Sequence, residues 1–164
     1  MSFSLIPDYS FRKIQDVTAD FLTKAGISLL LLDVDNTLAP YGTEMPRKAV
    51  VDWCDELKRQ GITPYILSNN RTLRAQIFSD VFGIGYTYKA GKPFPAHIRK
   101  VMRKYGKMPR ETALAGDQIF TDVLGANLAG AYSLLIQPIR LKNPLHWFRY
   151  VLELPFRKKA KEIH

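Results

Sequence analysis

An apolar run ending in two carboxylates constrains this chain more than anything else in it. Leu29-Leu30-Leu31-Leu32 leads straight into Asp33-Val34-Asp35-Asn36-Thr37. Leucines without polar relief read as a buried strand. A strand sends residues i and i+2 to the same face, so Asp33 and Asp35 project together unless the chain turns between them. Two like charges at the mouth of an apolar core are costly unless a cation or a proton neutralises one of them. Chemistry uses such a pair when one carboxylate attacks and the other moves protons beside a hard metal ion. The plainer reading is that Asp33 ends the strand and Asp35-Asn36 makes a turn.

The rest of the chain supplies strands and helices around that segment. Apolar spacing of Phe11, Ile14, Val17, Phe21 and Leu22 predicts a helix over 10–25, stopped by Gly26. Strands are expected at 28–34, 62–67, 86–88, 112–115 and 132–136. Helices are expected at 46–59, with Pro46 in the first turn, and at 72–82, 95–105 and 122–129. Five strands alternating with helices predict an α/β fold: a three-layer, Rossmann-like, mostly parallel five-stranded sheet covered on both faces. The 164 residues suit a single domain, with a basic amphipathic C-terminal segment over 140–164. The single cysteine, Cys54, excludes an internal disulfide and suits a reducing cytosol. With Asp8, Asp16 and Asp20 near the start, the N-terminus resembles neither a secretory signal nor a transit peptide, so a cytoplasmic location is expected.

Open α/β sheets bind ligands at the C-terminal ends of their strands. Asp33, Ser68 and Asp117 all fall at such ends. Ser68-Asn69-Asn70 precedes a helix and offers either a phosphate cradle or simple caps. Lys92, between Gly91 and Pro93, places a point charge suited to a phosphoryl oxygen. The glycine spacing before Lys92 is one residue too long for a nucleotide P-loop, and proline replaces the metal-holding hydroxyl residue. Gly116-Asp117 ends another apolar strand and makes Asp117 an oxygen ligand for Mg²⁺. Asp122 either caps the next helix or orients Lys92. His97, His146 and His164 form no metal-ligand spacing, and Cys54 lacks a histidine to activate it.

Together these residues resemble the haloacid-dehalogenase-like (HAD) phosphatases, subfamily IIIA. The family order is an Asp-x-Asp-x-Thr strand end, a Ser/Thr strand end, a lysine, and a Gly-Asp-x-x-x-Thr-Asp strand end. Here it reads Asp33-Val34-Asp35-Asn36-Thr37, Ser68, Lys92 and Gly116-Asp117 through Thr121-Asp122. The resemblance implies that Asp33 is the nucleophile and that Asp35 protonates the leaving group and then activates water. Ser68, Asn69 and Lys92 hold the phosphate. Asp33, Asp117 and the backbone carbonyl of Asp35 hold Mg²⁺, with Thr37 and Asp122 supporting from behind. Leu38-Ala39-Pro40, Asn69-Asn70, Asp122 through Asn127, Pro138-Ile139, Arg149 and Glu153 look like the phosphatidylglycerophosphate phosphatase branch.

The intervals from Thr37 to Ser68 and from Ser68 to Lys92 are too short for the family's inserted cap domain. An open site suits a phosphate displayed on something large. Net charge is +9, concentrated in 89–110 and 140–164, which favours anionic partners. Leu145, Phe148, Val151 and Leu152 share a helical stripe followed by Arg157-Lys158-Lys159. That stripe either packs on the core or meets an anionic membrane surface. The resemblance to that branch implies a phosphorylated lipid as substrate, phosphatidylglycerophosphate being dephosphorylated to phosphatidylglycerol. The alternatives are nucleotide, nucleic-acid-end or sugar phosphates, or a non-catalytic assembly factor. Nucleic acid has little support, because the basic block lacks aromatic interleaving beyond Phe94 and Tyr105.

Overall fold

The computed structural model describes residues 3–71, 73–141 and 143–163. Its sheet has seven strands, all parallel, where sequence patterning predicts five. In chain order these are β1 (Tyr9–Phe11), β2 (Leu29–Leu32), β3 (Thr63–Leu67), β4 (Gly85–Thr87), β5 (Thr112–Gly116), β6 (Tyr132–Ile136) and β7 (Lys161–Glu162). Their spatial order is β4-β3-β2-β5-β6-β1-β7. The two extra strands lie together at one edge; Tyr9–Phe11 runs into apolar spacing that reads as helix, and Lys161–Glu162 is only two residues long.

The helices are α1 (Ala19–Lys24), α2 (Lys48–Arg59), α3 (Arg74–Phe82), α4 (Ala96–Lys104), α5 (Leu124–Ala129) and α6 (Pro144–Arg157). The single helix expected over 10–25 is instead β1, a 3-10 turn at Ile14–Asp16, and α1. Phe11, Ile14, Val17 and Leu22 do all face inward, so the spacing correctly marks burial. It does not reveal that Thr18 starts a new helix, its side chain accepting from the Phe21 N–H at 3.2 Å. Pro46 lies outside α2, which begins at Lys48 with Arg47 in the capping position. Thr72, the expected start of α3, lies outside the described residues, as does His164.

Alternate residues of the central strands feed two cores. Leu30, Leu32, Ile66 and Leu134 pack with Leu22 of α1, Trp53, Cys54 and Leu57 of α2, and Phe78 and Phe82 of α3. Leu29, Leu31, Tyr65, Leu67 and Leu114 pack with Ile98, Val101 and Met102 of α4 and Ala126 and Ala129 of α5. Each buried leucine contributes on the order of 2 kcal/mol, so β2 is anchored on both faces. Cys54 is part of this packing, and burial pushes its thiol up to about 11. No helix among the described residues is long and apolar enough to cross a membrane.

Candidate active site

The sheet delivers its polar residues to one edge. The Asp33 N–H still donates to the Ala115 carbonyl at 3.0 Å, and the Ser68 N–H donates to the Thr87 carbonyl at 3.0 Å. Each is thus the first residue past a strand end. After Asp33 the chain turns back on itself, with Leu38 N–H donating to Val34 at 3.0 Å. Asn36 takes the left-handed conformation (φ +60°), which asparagine tolerates better than most residues. Its side chain donates to the Arg140 carbonyl at 2.7 Å and accepts the Arg140 N–H at 3.1 Å, pinning this loop to the segment after β6.

Lys92 is the pivot. Its ammonium lies 2.9 Å from Asp33 Oδ1 and 2.7 Å from Asp122 Oδ1. Asn69 clamps the lysine backbone at two points, accepting its N–H at 2.8 Å and donating to its carbonyl at 2.9 Å. Burial alone would lower the lysine's pKa, but Asp122 and Asp33 outweigh that and hold it above its ordinary value. Asp122 also accepts the Gln118 N–H through Oδ2 at 3.1 Å, so both its oxygens are engaged. Gly116 makes room for this carboxylate: a Cβ there would lie 2.2 Å from the Asp122 carboxyl carbon.

Asp33, Asp117 and Asp122 bring carboxylate oxygens within 4.8 Å of one another, all buried. Burial and the nearby Asp122 push Asp33 up to about 6 against the pull of Lys92. Burial, then Asp33 and Asp122, push Asp117 well above the usual carboxylate range. Three carboxylates face one ammonium, and Asp117 Oδ1 is buried without a hydrogen-bond partner. That deficit of positive charge suits a hard divalent cation. Because Lys92 and Gln118 occupy Asp122, the carboxylates placed to ligate it are Asp33 and Asp117.

Asp35 stands apart from this cluster. Its carboxylate accepts from Asn70 Nδ2 at 2.9 Å and forms an ion pair with Arg74. Ser68 Oγ accepts the Asn70 N–H at 3.1 Å, leaving the hydroxyl proton to donate into the cavity. Thr37 is buried behind the site, its hydroxyl without a partner. Asp33, Asp35, Ser68, Asn69 and Lys92 line a cavity of about 230 Å³, together with Tyr41, Asn70, Gln118 and Thr121.

Several residues beyond the motifs belong here. Arg74 is the first residue of α3, where the helix dipole disfavours a cation. The ion pair with Asp35 offsets that cost. His146, far from every motif in sequence, stacks on Tyr41 with ring centroids 4.7 Å apart. Glu153 is buried and accepts the Ile119 N–H at 2.9 Å, while Arg157 donates to the Asp117 carbonyl. The C-terminal segment therefore reaches the site through α6.

Comparison with known proteins places these findings in a family. Residues 6–130 match the model of the haloacid dehalogenase-like hydrolases. The probable phosphatase YqeG of Bacillus subtilis strain 168 is 31% identical over 134 residues, 82% of this chain and 78% of that protein. A cobalt-bound deoxy-D-mannose-octulosonate 8-phosphate phosphatase from Haemophilus influenzae has a similar fold, with TM-score 0.57 at 15% identity over 68% of this chain and 69% of that one. The Moraxella catarrhalis 3-deoxy-D-manno-octulosonate 8-phosphate phosphatase, solved with magnesium, phosphate and KDO, gives TM-score 0.51 at 17% identity over 85% and 92% of the two chains.

Proposed function

The chain belongs to the haloacid dehalogenase-like hydrolase family, and we propose that it hydrolyses phosphomonoesters through an aspartyl-phosphate on Asp33. It is a phosphatase, and its metal is Mg²⁺. The observation that carries the reading is Lys92 set between Asp33 and Asp122, beside the unpartnered oxygen of Asp117.

Asp33 attacks phosphorus while the bond from phosphorus to the ester oxygen breaks, and Asp35 gives its proton to the departing alkoxide. Water then attacks the acyl-phosphate, Asp35 takes back a proton, and inorganic phosphate leaves with Asp33 restored. The Ser68 hydroxyl and the Lys92 ammonium hold phosphoryl oxygens, and Asn69 keeps Lys92 in place. Held by Asp33, Asp117 and the Asp35 carbonyl, Mg²⁺ supplies charge neutralisation on those oxygens.

The substrate presents its phosphate from a larger body. A cavity of about 230 Å³ holds a phosphoryl group together with the first atoms of the group that bears it. Between β2 and α2, and between β3 and β4, the described residues add only loops and α3, which supports an open site. A phospholipid fits this description, with phosphatidylglycerophosphate as the specific candidate. A soluble sugar phosphate is the second reading, favoured by the sugar-phosphate names of the two fold neighbours. Nucleotide and nucleic-acid-end phosphates belong with it. Mg²⁺-dependent release of phosphate from an aryl phosphate, stopped by EDTA, tests the chemistry. A panel of phosphatidylglycerophosphate, sugar phosphates and nucleotides then ranks kcat/KM, and a sugar phosphate at the top refutes the lipid reading.

A further inference from the structure

Helix α6 turns most of its apolar surface outward, although Phe156 packs against Ile119, Val123 and Leu135. A surface helix of a globular domain normally turns its apolar stripe inward and its charges to water. Here the one fully buried side chain of α6 is Glu153, and its neighbours on that side, His146 and Arg157, also point at the site. The opposite side carries Leu145 (71% exposed), Trp147 (57%), Phe148 (63%), Val151 (43%) and Leu152 (49%). A contiguous apolar patch of this kind on a soluble domain marks an interaction surface.

We propose that the outer face of α6 docks on an anionic lipid bilayer. Charge decides between occupants. Exposed Arg140 precedes the helix, and exposed Lys158 and Lys159 follow it, so the patch carries cations at both ends. That pattern matches an interfacial helix on anionic headgroups. A second copy of the chain would bring the same cations against each other in either pairing direction. Continuity along the sheet edge points the same way. Met45, Leu73, Phe94 and Ile139 are also exposed, and each sits on a loop that leaves the site end of the sheet. A flat apolar medium meets all of these at once.

Docking in this way puts the mouth of the cavity at headgroup level. It therefore deepens the lipid reading of the active site, and the test separates the two. Full-length protein is mixed, without substrate, with vesicles of phosphatidylcholine alone or of phosphatidylcholine with phosphatidylglycerol, and bound protein is sedimented. Binding is expected with the anionic vesicles and a blue shift of tryptophan emission from exposed Trp147. It should weaken as NaCl is raised from about 0.1 M to about 0.5 M, because screening shortens the reach of the lysines. The double variant Phe148→Ser/Leu152→Ser should lower partitioning by about tenfold or more, the scale set by losing two buried apolar side chains. Its aryl-phosphate kcat/KM should stay unchanged, because neither residue touches the cavity. No binding to anionic vesicles, equal binding to both vesicle types, or unchanged binding by the variant overturns the proposal. So does a dimer in sedimentation velocity that the variant dissolves. Loss of aryl-phosphate hydrolysis in the wild type would instead sink the reading of the active site and leave docking standing.

Discussion

Asp33 and Asp35 are the same residue type, two positions apart, and their surroundings differ in every respect that matters. Asp33, as buried as Asp35, shares a buried ammonium with Asp122 and lies beside Asp117. Asp35 lies on the wall of the cavity, away from that cluster, held by an amide and a guanidinium from the segment around the start of α3. The strand ends at Leu32 and the chain turns back after Asp35, where Asn36 is left-handed, and the two carboxylates reach different partners around one cavity. One carboxylate is thereby placed where a metal and a lysine can activate it for attack. The other is placed where it can exchange protons. The two proposed roles thus rest on environment rather than on residue type.

Substitutions can break this division. Asp33→Asn should have the largest effect, a loss of activity of about 10⁴-fold or more, the scale seen when a covalent nucleophile is removed. Radiolabelled phosphate should no longer be trapped on the protein, and circular dichroism should be unchanged. Substantial residual turnover would remove Asp33 from its role. Asp35→Asn should slow an alkyl phosphate by about 10²–10⁴-fold, the usual worth of general acid–base help. With an aryl phosphate, whose leaving group needs no proton, the acyl-phosphate should still form and now accumulate. If this variant traps no label, the two carboxylates are not divided as described.

Arg74→Ala should act only on the Asp35 side, lowering kcat for alkyl phosphates by about tenfold and for aryl phosphates by less. Partial rescue by Arg74→Lys is expected, and equal loss on both substrates would assign Arg74 to binding instead. The smallest effect concerns stability. Burial raises the Asp33 pKa from its ordinary 3.8 to about 6, so between these values the folded protein binds more proton than the unfolded chain. Stability from this group is greatest below 3.8 and is lost as pH rises through 6. In EDTA, the melting temperature of wild type relative to Asp33→Asn should fall across that window. Added Mg²⁺ should recover it at pH 7, as measured by scanning fluorimetry. A wild-type advantage that grows with pH in EDTA would contradict the burial of an uncompensated charge.

The site residues on motifs were legible because chemistry at a strand end leaves a sharp trace, an apolar run broken by Asp or Ser. Asp33, Ser68, Lys92 and Asp117 are all brought together in the fold, and Asp122 is found on Lys92. Arg74 was not legible, because an arginine in a helix looks the same whether it faces water or a carboxylate. The edge strand β1 was missed because Phe11 falls in line with the helical spacing of Ile14, Val17 and Leu22, and β7 because it is only two residues long. The contrast between α4 and α6 is more instructive. Both are amphipathic, and α4 buries Ile98, Val101 and Met102 as its spacing implies. In α6 the polar side goes inward, because Ile119 N–H and the Asp117 carbonyl need partners and Glu153 and Arg157 supply them. Periodicity locates an apolar face without saying which way it turns.

Helix α6 is fastened at both ends. Before it, Arg140 is bonded to Asn36 in the loop that carries the two aspartates. After it, β7 pairs with β1, Tyr9 opposite Lys161, and the Ile163 N–H donates to Ser10 at 3.1 Å. A free amphipathic tail would tether the domain loosely and let it tumble. A helix buckled at both ends fixes the domain's tilt instead. Whatever holds the outer face of α6 also sets the angle at which Asp33 meets an arriving phosphate.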